Sequence, residues 1–411
     1  MRKIAIIGAG MSGMIAAIYA AQNHLQVVIF ERLDRVGKKL LLTGNGKCNL
    51  SNESITTDNY ITDSPKVLNS ILTSFSREQE EQLFQNLGIL TKVKNGCIYP
   101  VSNQASTVLD ALRIRMKELS IEVKTESMIT KITKKDDTYS LCDEFNKIYS
   151  GFSELLIATG GLAGVYQEHQ KNGYPLLQSL GYKMIPSHPA LVQTICSDKD
   201  LKVISGVRSD VVVTLFINGN EQGTERGELQ ITEKGLSGIA VFQLTRRMDE
   251  LNKHNTKLRV DFLPALTQEC MDSFVKKRYQ QMHQRTLEEF MTGMIHKKLI
   301  FFFLRKKNWK LDEPVSKHTA DELQSLLYMM KNYEFEVLDL NGYQNAQIST
   351  GGVALEQINP EDMSSKQDKH VYITGEALNV AGECGGYNLH FAMASGYLAG
   401  SSIARREWEK E

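Results

Sequence analysis

The feature that most constrains the fold lies at the N-terminus, where an apolar run leads into a glycine-rich turn. Residues 3–7 read Lys-Ile-Ala-Ile-Ile, which predicts a buried parallel strand. Gly8, Gly10 and Gly13 follow at the spacing Gly-x-Gly-x-x-Gly, and a helix-forming run begins at Met14. The first glycine permits a tight turn, the second lets backbone approach a pyrophosphate, and the third allows close helix–strand packing. The segment predicts a dinucleotide-binding unit.

A second apolar strand, Val27–Phe30, ends at Glu31. The order strand, glycine loop, helix, strand and acid within about 30 residues is far more specific than the glycines alone. A carboxylate at this position can accept hydrogen bonds from a ribose hydroxyl, and it disfavours a 2′-phosphate. The free N–H groups at the start of the helix favour the phosphates. These features predict FAD or NAD rather than NADP.

The next stretch, Gly37–Asn52, is rich in Gly, Asn, Ser and Lys. A NAD dehydrogenase has no need of such a loop. A flavoprotein does, because its ligand continues past the pyrophosphate to the ribityl chain and the isoalloxazine ring. Lys38 and Lys39 are candidates for balancing phosphate charge, and the Gly44–Asn49 segment offers backbone and amide groups to the flavin edge. The predicted cofactor is FAD.

A second glycine-rich segment lies near the other end of the chain, in residues 371–400. It predicts a buried strand, a Gly375-Glu376 turn near the pyrophosphate and ribityl chain, and a helix that starts around Gly385–Leu389. The N–H groups of that helix are expected to face the pyrimidine edge of the isoalloxazine, which becomes negative on reduction. The small residues between Ala392 and Gly400 are expected to pack the helix on the sheet.

Between these ends, a further strand-into-glycine pattern occurs at residues 154–161, and dinucleotide-type patterns resume only at Ile348. Residues 203–262 read as strands with turns at residues 218–220 and 224–227, and about 265–335 read as helical. The predicted fold class is α/β: a two-dinucleotide-binding (Rossmann-like) FAD domain with an inserted β-rich subdomain and a helical subdomain. The predicted bounds are 1–188 and 348–411 for the FAD-binding domain, 189–263 and about 334–347 for the β-rich substrate subdomain, and 264–333 for the helical subdomain.

Composition narrows the partners. Lys+Arg and Asp+Glu both number 48, so no overall charge favours nucleic acid or an anionic membrane, and a small-molecule substrate is expected instead. The six cysteines include no CxxC pair, which favours the reducing cytoplasm. No metal-ligand spacing occurs, so no metal is predicted. The oligomeric state stays open.

Several motifs taken together resemble one family. They are Gly8–Gly13, Gly37–Asn52, Gly96–Ser102, Ala158–Gly161, Ser349–Val353, Gly375-Glu376 and Gly385–Leu389. This order is similar to that in the bacterial NAD(P)/FAD-dependent oxidoreductases, a family that includes BaiN-type bile-acid reductases and aminoacetone oxidase. The resemblance implies the same three-part layout and a bound FAD. The cofactor-binding residues predicted from the motifs and the resemblance are Gly8, Ala9, Gly10, Met11, Ser12, Gly13, Glu31, Arg32, Lys39, Leu40, Gly44, Asn45, Gly46, Cys48, Asn49, Ala158, Thr159, Gly160, Gly161, Gly375, Glu376, Gly386, Tyr387, Asn388 and Leu389.

No residue stands out as catalytic. His390, Cys48 and Cys384 are candidates because they fall in the predicted flavin-facing segments, and His188 is a further candidate proton donor. Arg208 and Arg226 are expected in exposed loops, where they could meet a substrate anion. For each of these residues, ordinary packing or solvation is the competing interpretation.

The predicted activity is an FAD-dependent oxidoreductase that moves hydride through flavin N5 between NAD(P)H and a small organic acceptor. The chain has one dinucleotide fingerprint only, so NAD(P)H is expected to bind transiently. Two alternatives stay open: a flavin oxidase that acts on a small amine with O₂, and a flavin-bound redox sensor in which Cys48 and Cys384 form a redox pair.

Overall fold

The computed structural model of the protein describes residues 2–23, 25–164, 172–248 and 255–406. The chain forms two compact units. Unit 1 comprises Met1–His188 and Gln347–Glu411, and unit 2 comprises Pro189–Ala346. Unit 1 contains a parallel sheet with helices and unit 2 contains an antiparallel sheet with helices, so the predicted α/β class is confirmed.

Within the described residues, the helices are α1 (Met11–Ala20), α2 (Pro65–Ser74), α3 (Arg77–Asn86), α4 (Ala105–Glu118), α5 (Tyr174–Ser179), α6 (Leu201–Ile204), α7 (Ile239–Thr245), α8 (Gln268–Met282), α9 (Leu287–Met291), α10 (Lys297–Lys306), α11 (Ala320–Lys331), α12 (Gly342–Asn345) and α13 (Tyr387–Arg405). None of these helices has the length and apolar character needed to cross a bilayer.

The strands of the described residues are β1 (Lys3–Ile7), β2 (Gln26–Phe30), β3 (Ser51–Asn52), β4 (Tyr60–Thr62), β5 (Thr91–Lys94), β6 (Cys97–Pro100), β7 (Glu122–Lys124), β8 (Ile129–Lys135), β9 (Thr138–Asp143), β10 (Ile148–Phe152), β11 (Glu154–Ile157), β12 (Met184–Ile185), β13 (Pro189–Ala190), β14 (Thr194–Cys196), β15 (Arg208–Ile217), β16 (Asn220–Ile231), β17 (Leu236–Ser237), β18 (Thr256–Asp261), β19 (Tyr333–Leu340), β20 (Ile348–Ser349), β21 (Gly352–Val353), β22 (Val371–Ile373) and β23 (Val380–Gly382).

The centre of unit 1 is a parallel sheet in the strand order β22-β11-β1-β2-β7. The inner strands β1 and β11 are almost wholly apolar and buried, as expected for strands covered on both faces. Because the strands are parallel, their carboxyl ends share one edge. The glycine loops that follow β1, β11 and β22 are therefore brought to the same edge of the sheet.

The last helix, α13, packs on the first helix, α1. A Cβ on Gly396 would lie 2.4 Å from the Ser12 carbonyl oxygen, and one on Gly400 would lie 2.4 Å from the Ala16 oxygen. The two backbones therefore approach more closely than any other residue type at these positions would permit. The expectation that the small residues of α13 pack against the sheet was wrong in its partner, since Gly396 and Gly400 face α1.

Unit 2 is built on an antiparallel sheet in the order β14-β19-β18-β15-β16-β17. The predicted turn at residues 224–227 was wrong, because β16 runs unbroken through them and Arg226 pairs with Val212 of β15. Arg208 and Arg226 accordingly lie on strands rather than in loops. They form cross-strand ion pairs with Glu228 (3.1 Å) and Asp210 (3.0 Å).

Candidate functional site

In the glycine loop after β1, two glycines lie close against backbone atoms of unit 1. Gly8 has φ +105°, and a Cβ there would lie 2.2 Å from the Ala158 carbonyl oxygen. A Cβ on Gly13 would lie 2.1 Å from the Gly8 oxygen. Only glycine fits either position, because the obstacle is backbone. The loop after β1 therefore contacts the loop that follows β11.

Gly10 differs from both of these glycines. Its φ is −77°, which any residue can adopt, and a Cβ there would lie within 4 Å of no described residue other than its chain neighbours. It occupies the N-cap of α1 without a capping side chain, so the N–H groups of Met11–Gly13 are left for an outside acceptor. Open space in front of free N–H groups at a helix start is the arrangement that receives a pyrophosphate. The fingerprint thus fits a dinucleotide.

Glu31 lies at the end of β2 and is 8% exposed. Its Oε2 accepts from the Ala9 N–H at 2.8 Å and its Oε1 from the Leu33 N–H at 2.9 Å. The carboxylate therefore fixes the glycine loop to the second strand. Each oxygen keeps a further lone pair, so the predicted ribose contact remains available. Arg32, which follows it, is half-buried.

Glu376 is the centre of a hydrogen-bond network at the shared strand edge. Its Oε1 accepts from the Ser349 N–H at 2.9 Å, and its Oε2 pairs with the Lys39 ammonium. A Cβ on Gly161 would lie 2.7 Å from Glu376 Oε1. The network joins segments from four distant parts of the chain. Lys39, predicted to balance phosphate charge, has this carboxylate as its partner.

Two threonines at this edge have unsatisfied hydroxyl groups. Thr159 follows β11 by two residues and Thr374 follows β22 directly. The Oγ1 atoms of both are buried without a hydrogen-bond partner among the described residues. Buried hydroxyls nearly always have a partner in a complete assembly. Both threonines lie in segments that follow strands of the same parallel sheet as the Gly10 loop, so their unpaired hydroxyls support a polar ligand at this edge.

The loop predicted to face the flavin is unusually strained. Gly44, Asn45, Gly46 and Cys48 all have positive φ, between +54° and +82°. Asparagine tolerates this conformation, whereas cysteine rarely adopts it. The loop starts from the buried Leu40 and returns to β3. Strain of this kind persists only where surrounding structure enforces it.

A second group of predicted residues gathers at the start of α13. Gly386 is the N-cap, has φ +100°, and would place a Cβ 2.4 Å from the Ser51 oxygen. The Asn49 side-chain oxygen accepts from the Gly386 N–H at 3.3 Å when the amide is oriented to satisfy both of its ends. The Asn388 side chain bonds to both backbone groups of Gly382. These contacts hold the helix start and leave its first N–H groups free.

His390 is buried in the second turn of α13. Its Nδ1 lies 2.8 Å from Glu80 Oε1 and 3.0 Å from Ser51 Oγ. Glu80 is 1% exposed and also binds Arg77 at 2.7 Å. The histidine therefore joins α13 to α3 and β3. Its ring nitrogen nearest these partners is occupied within the protein, which favours the packing interpretation over proton donation.

The cysteine candidates differ in environment. Cys48 is fully buried, and burial raises the pKa of its thiol to about 11. Cys384 is half-buried, and none of the six cysteines, all of which are described, forms a disulfide. A thiol with so high a pKa stays protonated near neutral pH and is a poor nucleophile. No group of three or more His, Cys, Asp or Glu side chains in the described residues could hold a metal.

Some of the residues that hold the loop at residues 349–352 were not identified from the sequence. Asp63 accepts from the Leu355 N–H at 3.0 Å and from the Asn379 amide at 2.8 Å. Asn379 in turn accepts from the Gly351 N–H. His188, a predicted candidate, hydrogen-bonds the Thr350 hydroxyl at 2.7 Å. These contacts position the loop at residues 349–352. Glu80, the partner of His390, was also missed. Among these missed residues, only Glu80 had a sequence signal, since it shares a helix face with Leu83 and Phe84.

Unit 1 therefore supplies two regions that suit two parts of FAD, the pyrophosphate and the isoalloxazine ring. The glycine loops after β1, β11 and β22 offer free N–H groups and space for the pyrophosphate. The start of α13 offers N–H groups for the edge of a flavin ring. Every predicted cofactor-binding residue lies in unit 1. The residue set fits FAD at the level of donors, space and shared edge.

Comparisons with known proteins cover almost the whole chain. A family model described as "HI0933-like protein Rossmann domain" matches residues 2–402. The 3-dehydro-bile acid delta(4,6)-reductase of Clostridium scindens is 33% identical over 410 residues, 99% of this chain and 100% of that protein. A ribosomal RNA dihydrouridine synthase of Haemophilus influenzae is 24% identical over 405 residues, 98% of each chain. The 3-ketosteroid delta1-dehydrogenase structure from Sterolibacterium denitrificans aligns with a TM-score of 0.51 at 11% identity, over 98% of this chain and 100% of that one, and shares the fold.

Proposed function

The chain belongs to the HI0933-like Rossmann family, and from this premise we propose that it reduces a carbon–carbon double bond conjugated to a carbonyl group. The family resemblance inferred from the motifs is confirmed, and the chain is an FAD-dependent oxidoreductase. The proposed electron donor is NAD(P)H, which binds transiently, and the proposed acceptor is a small organic enone.

The names of the relatives support this bond type. A reductase of a 3-dehydro-bile acid at delta(4,6) acts on double bonds conjugated to a ketone. A dihydrouridine synthase saturates the uracil C5–C6 bond, which is conjugated to the C4 carbonyl. In both cases the carbonyl activates the double bond through conjugation, so that a hydride and a proton can add across it. The shared chemistry suggests that the family preserves a reaction type while its acceptors differ.

FAD, when bound, would supply hydride transfer between NAD(P)H and the conjugated double bond of the acceptor. The residues of this chain would bind and orient the FAD. Gly10 and the first turn of α1 would receive the pyrophosphate, and Glu31 the ribose. The free N–H groups at the start of α13 would stabilise negative charge on the pyrimidine edge. The observation that carries the flavin assignment is this pair of open helix starts from opposite ends of the chain, both in unit 1.

Anaerobic half-reactions test the proposal. The purified protein should be yellow, and NADH or NADPH should bleach the flavin without oxygen. A 4-en-3-one steroid should then restore the colour in stoichiometric amount. Bleaching by a small amine, with peroxide formed in air, would support the oxidase instead. A flavin that no nicotinamide bleaches, together with a Cys48–Cys384 disulfide, would support the sensor and contradict the reductase.

A second candidate acceptor is a uridine of ribosomal RNA. The observation that favours it is the full-length similarity to the Haemophilus influenzae protein. The neutral composition predicted no nucleic-acid partner, and that statement stays a prediction. Dihydrouridine in ribosomal RNA, measured by mass spectrometry in cells with and without the gene, tests this acceptor. Loss of one dihydrouridine on deletion supports the RNA acceptor, and unchanged content contradicts it.

A further inference from the structure

The neutral charge of the whole chain conceals a strongly basic segment. Residues 276–310 contain ten Lys and Arg against two Glu and no Asp. This segment includes the end of α8, all of α9 and α10, and the turn that follows α10. All of it belongs to unit 2, and the rest of the chain carries the compensating negative charge. A basic segment of this kind is the local electrostatic signature of a polyanion partner.

Helix α10 concentrates this charge on one face. Its sequence, Lys297–Lys306, contains no acidic residue, and its buried side chains are Leu299, Ile300, Phe302, Phe303 and Leu304. Lys297, Lys298, Phe301 and Arg305 are exposed and lie at helical spacings of three, four and seven. We call these four residues the α10 stripe. It spans about 12 Å along the helix axis.

The cations of the α10 stripe are only loosely held. Lys297 pairs with Glu288 at 2.7 Å, but the lysine side chain is 79% exposed. Arg305 lies 3.5 Å from Asp200, whose closer partner is Lys306 at 2.8 Å. Lys298 donates to the Ser205 carbonyl oxygen rather than to a carboxylate. Exposed pairs contribute little free energy, so these cations can exchange partners for phosphates at low cost.

An exposed aromatic ring stands within the stripe. Phe301 is 40% exposed, with Lys298 three residues before it and Arg305 four residues after it. Cations that track a backbone, combined with an aromatic face on which bases stack, form the usual platform for single-stranded nucleic acid. An anionic lipid surface would use the charges but would favour several apolar side chains, whereas the stripe has one. RNA therefore fits the stripe better.

We propose that the α10 stripe binds RNA, with Lys297, Lys298 and Arg305 on phosphates and Phe301 against an unpaired base. This inference rests on the second candidate acceptor of the proposed function. It adds the surface of unit 2 that would hold the RNA beyond the reacting base. Since no residue of the stripe belongs to the predicted cofactor-binding set, RNA binding and flavin reduction can be measured independently.

The test uses the FAD-loaded full-length protein and a fluorescent ribosomal RNA stem-loop, with binding followed by anisotropy across a salt series. The variant Lys297→Gln/Lys298→Gln/Arg305→Gln should bind at least about tenfold more weakly at low salt, and its salt slope should fall by about two to three. Phe301→Ala should weaken binding without changing the salt slope. The matched control, Lys117→Gln/Lys131→Gln/Lys135→Gln, removes three exposed lysines of unit 1 and should bind like the wild type.

The outcomes separate this inference from the function on which it rests. A stripe variant that binds RNA as tightly as the control overturns the inference, even if uridine is reduced. Binding of the wild type to vesicles with phosphatidylglycerol but not to RNA overturns it as well. Weakened RNA binding with unchanged NADPH–enone turnover supports it, and so does stripe-dependent RNA binding in a protein that leaves dihydrouridine content unchanged. Thermal unfolding confirms that each variant is folded.

Discussion

Two positions of the glycine motif need glycine for different physical reasons. Gly13 is required by the protein itself, since a Cβ there would lie 2.1 Å from the Gly8 oxygen. No described residue requires glycine at position 10, because its backbone angles are ordinary and its Cβ position is open. Because the fold itself does not require glycine at position 10, glycine there points to a ligand. Its open side marks where the backbone must let the cofactor approach.

Gly10→Ala and Gly13→Ala should therefore separate binding from folding. Gly10→Ala should weaken FAD binding at least about tenfold while lowering the free energy of unfolding of the apoprotein by no more than about 1 kcal/mol, because alanine is a poorer N-cap than glycine but meets no steric obstacle here. Gly13→Ala should lower the free energy of unfolding by about 2 kcal/mol or more, through overpacking. Flavin fluorescence titration and denaturant unfolding of the apoprotein measure the two effects. Equal destabilisation by both variants would refute the distinction.

Cys48 should resist alkylation in the folded protein. Burial raises the pKa of its thiol from 9.0 to about 11, so the reactive thiolate is scarce near pH 7.5. The exposed Cys270 is the internal control and should react readily. Mass spectrometry after iodoacetamide treatment should show Cys48 labelling only in unfolded protein or as the pH approaches 11. Because the unfolded thiol ionises first, this group makes unfolding easier as pH rises from 9 towards 11. Rapid labelling at neutral pH would revive the redox-sensor alternative.

The buried Glu80–His390 pair should matter for stability rather than for chemistry. Glu80→Ala leaves the His390 ring without its carboxylate and should cost about 3 kcal/mol of unfolding free energy. Glu81→Ala, an exposed neighbour on the same helix, should cost less than about 0.5 kcal/mol. Turnover per bound flavin should be the same in both variants. A specific loss of turnover in Glu80→Ala, with flavin still bound, would indicate that His390 acts in the reaction.

At the scale of elements, the pairing of α1 with α13 joins the two ends of the chain. Gly396 and Gly400 bring the backbones together, and Gly375 lies against the Ser12 side chain. Gly375 also donates its N–H to Ser395 of α13 at 3.0 Å. The glycine loop, the turn after β22 and the last helix are therefore one packed assembly. A shift in either helix displaces the other's contacts with the cofactor region.

Gly396→Ala should accordingly affect both stability and cofactor affinity. The added Cβ would lie 2.4 Å from the Ser12 carbonyl oxygen, so α13 must move away from α1. We expect a loss of about 1 to 3 kcal/mol in the free energy of unfolding and a measurable rise in the FAD dissociation constant. Ser401→Ala on the same helix is the control and should change neither. Unfolding monitored by circular dichroism, with flavin titration, provides both values.

The sequence was most informative where a local rule determines the structure. The loop after β1 and the start of α13 both follow from glycine spacing and flanking apolar runs. The misplaced turn at residues 224–227 has a different cause. Its composition resembles a turn, but the hydrogen bonds of β15 hold it extended, and Gly227 is there because a Cβ would lie 2.8 Å from Ile239 Cγ2. Asp63 and Asn379 had no local signal, because each acts on backbone groups far away in sequence.

At the scale of the whole molecule, the two units divide the predicted roles. All predicted cofactor-binding residues belong to unit 1, and the α10 stripe belongs to unit 2. Unit 2 is continuous in sequence. The first and last strands of its six-stranded sheet along the chain are β14 and β19. They are neighbouring antiparallel strands, with Thr194 opposite Leu340. The two ends of unit 2 are therefore close together, as expected for a domain inserted into a loop of its host.

A shortened chain tests this division. Replacing residues 192–341 with a short Gly/Ser linker should leave a protein that still binds FAD, because the linker spans only the distance between paired strands. It should lose reduction of the acceptor and, if the stripe acts as proposed, RNA binding. Absorbance spectroscopy and the anaerobic half-reactions measure these properties. A linker protein that folds but binds no flavin would show that unit 2 contributes to the cofactor site.

The Thr194–Leu340 pairing also bears on how such a family diversifies. Because the ends of the 150-residue insertion lie on paired strands, it connects to unit 1 as a hairpin loop would. Changes inside the insertion therefore need not disturb the parallel sheet of unit 1. If unit 2 contacts the acceptor, as the sequence predicts, we expect acceptor specificity to change through this insertion while the parallel sheet of unit 1 stays the same.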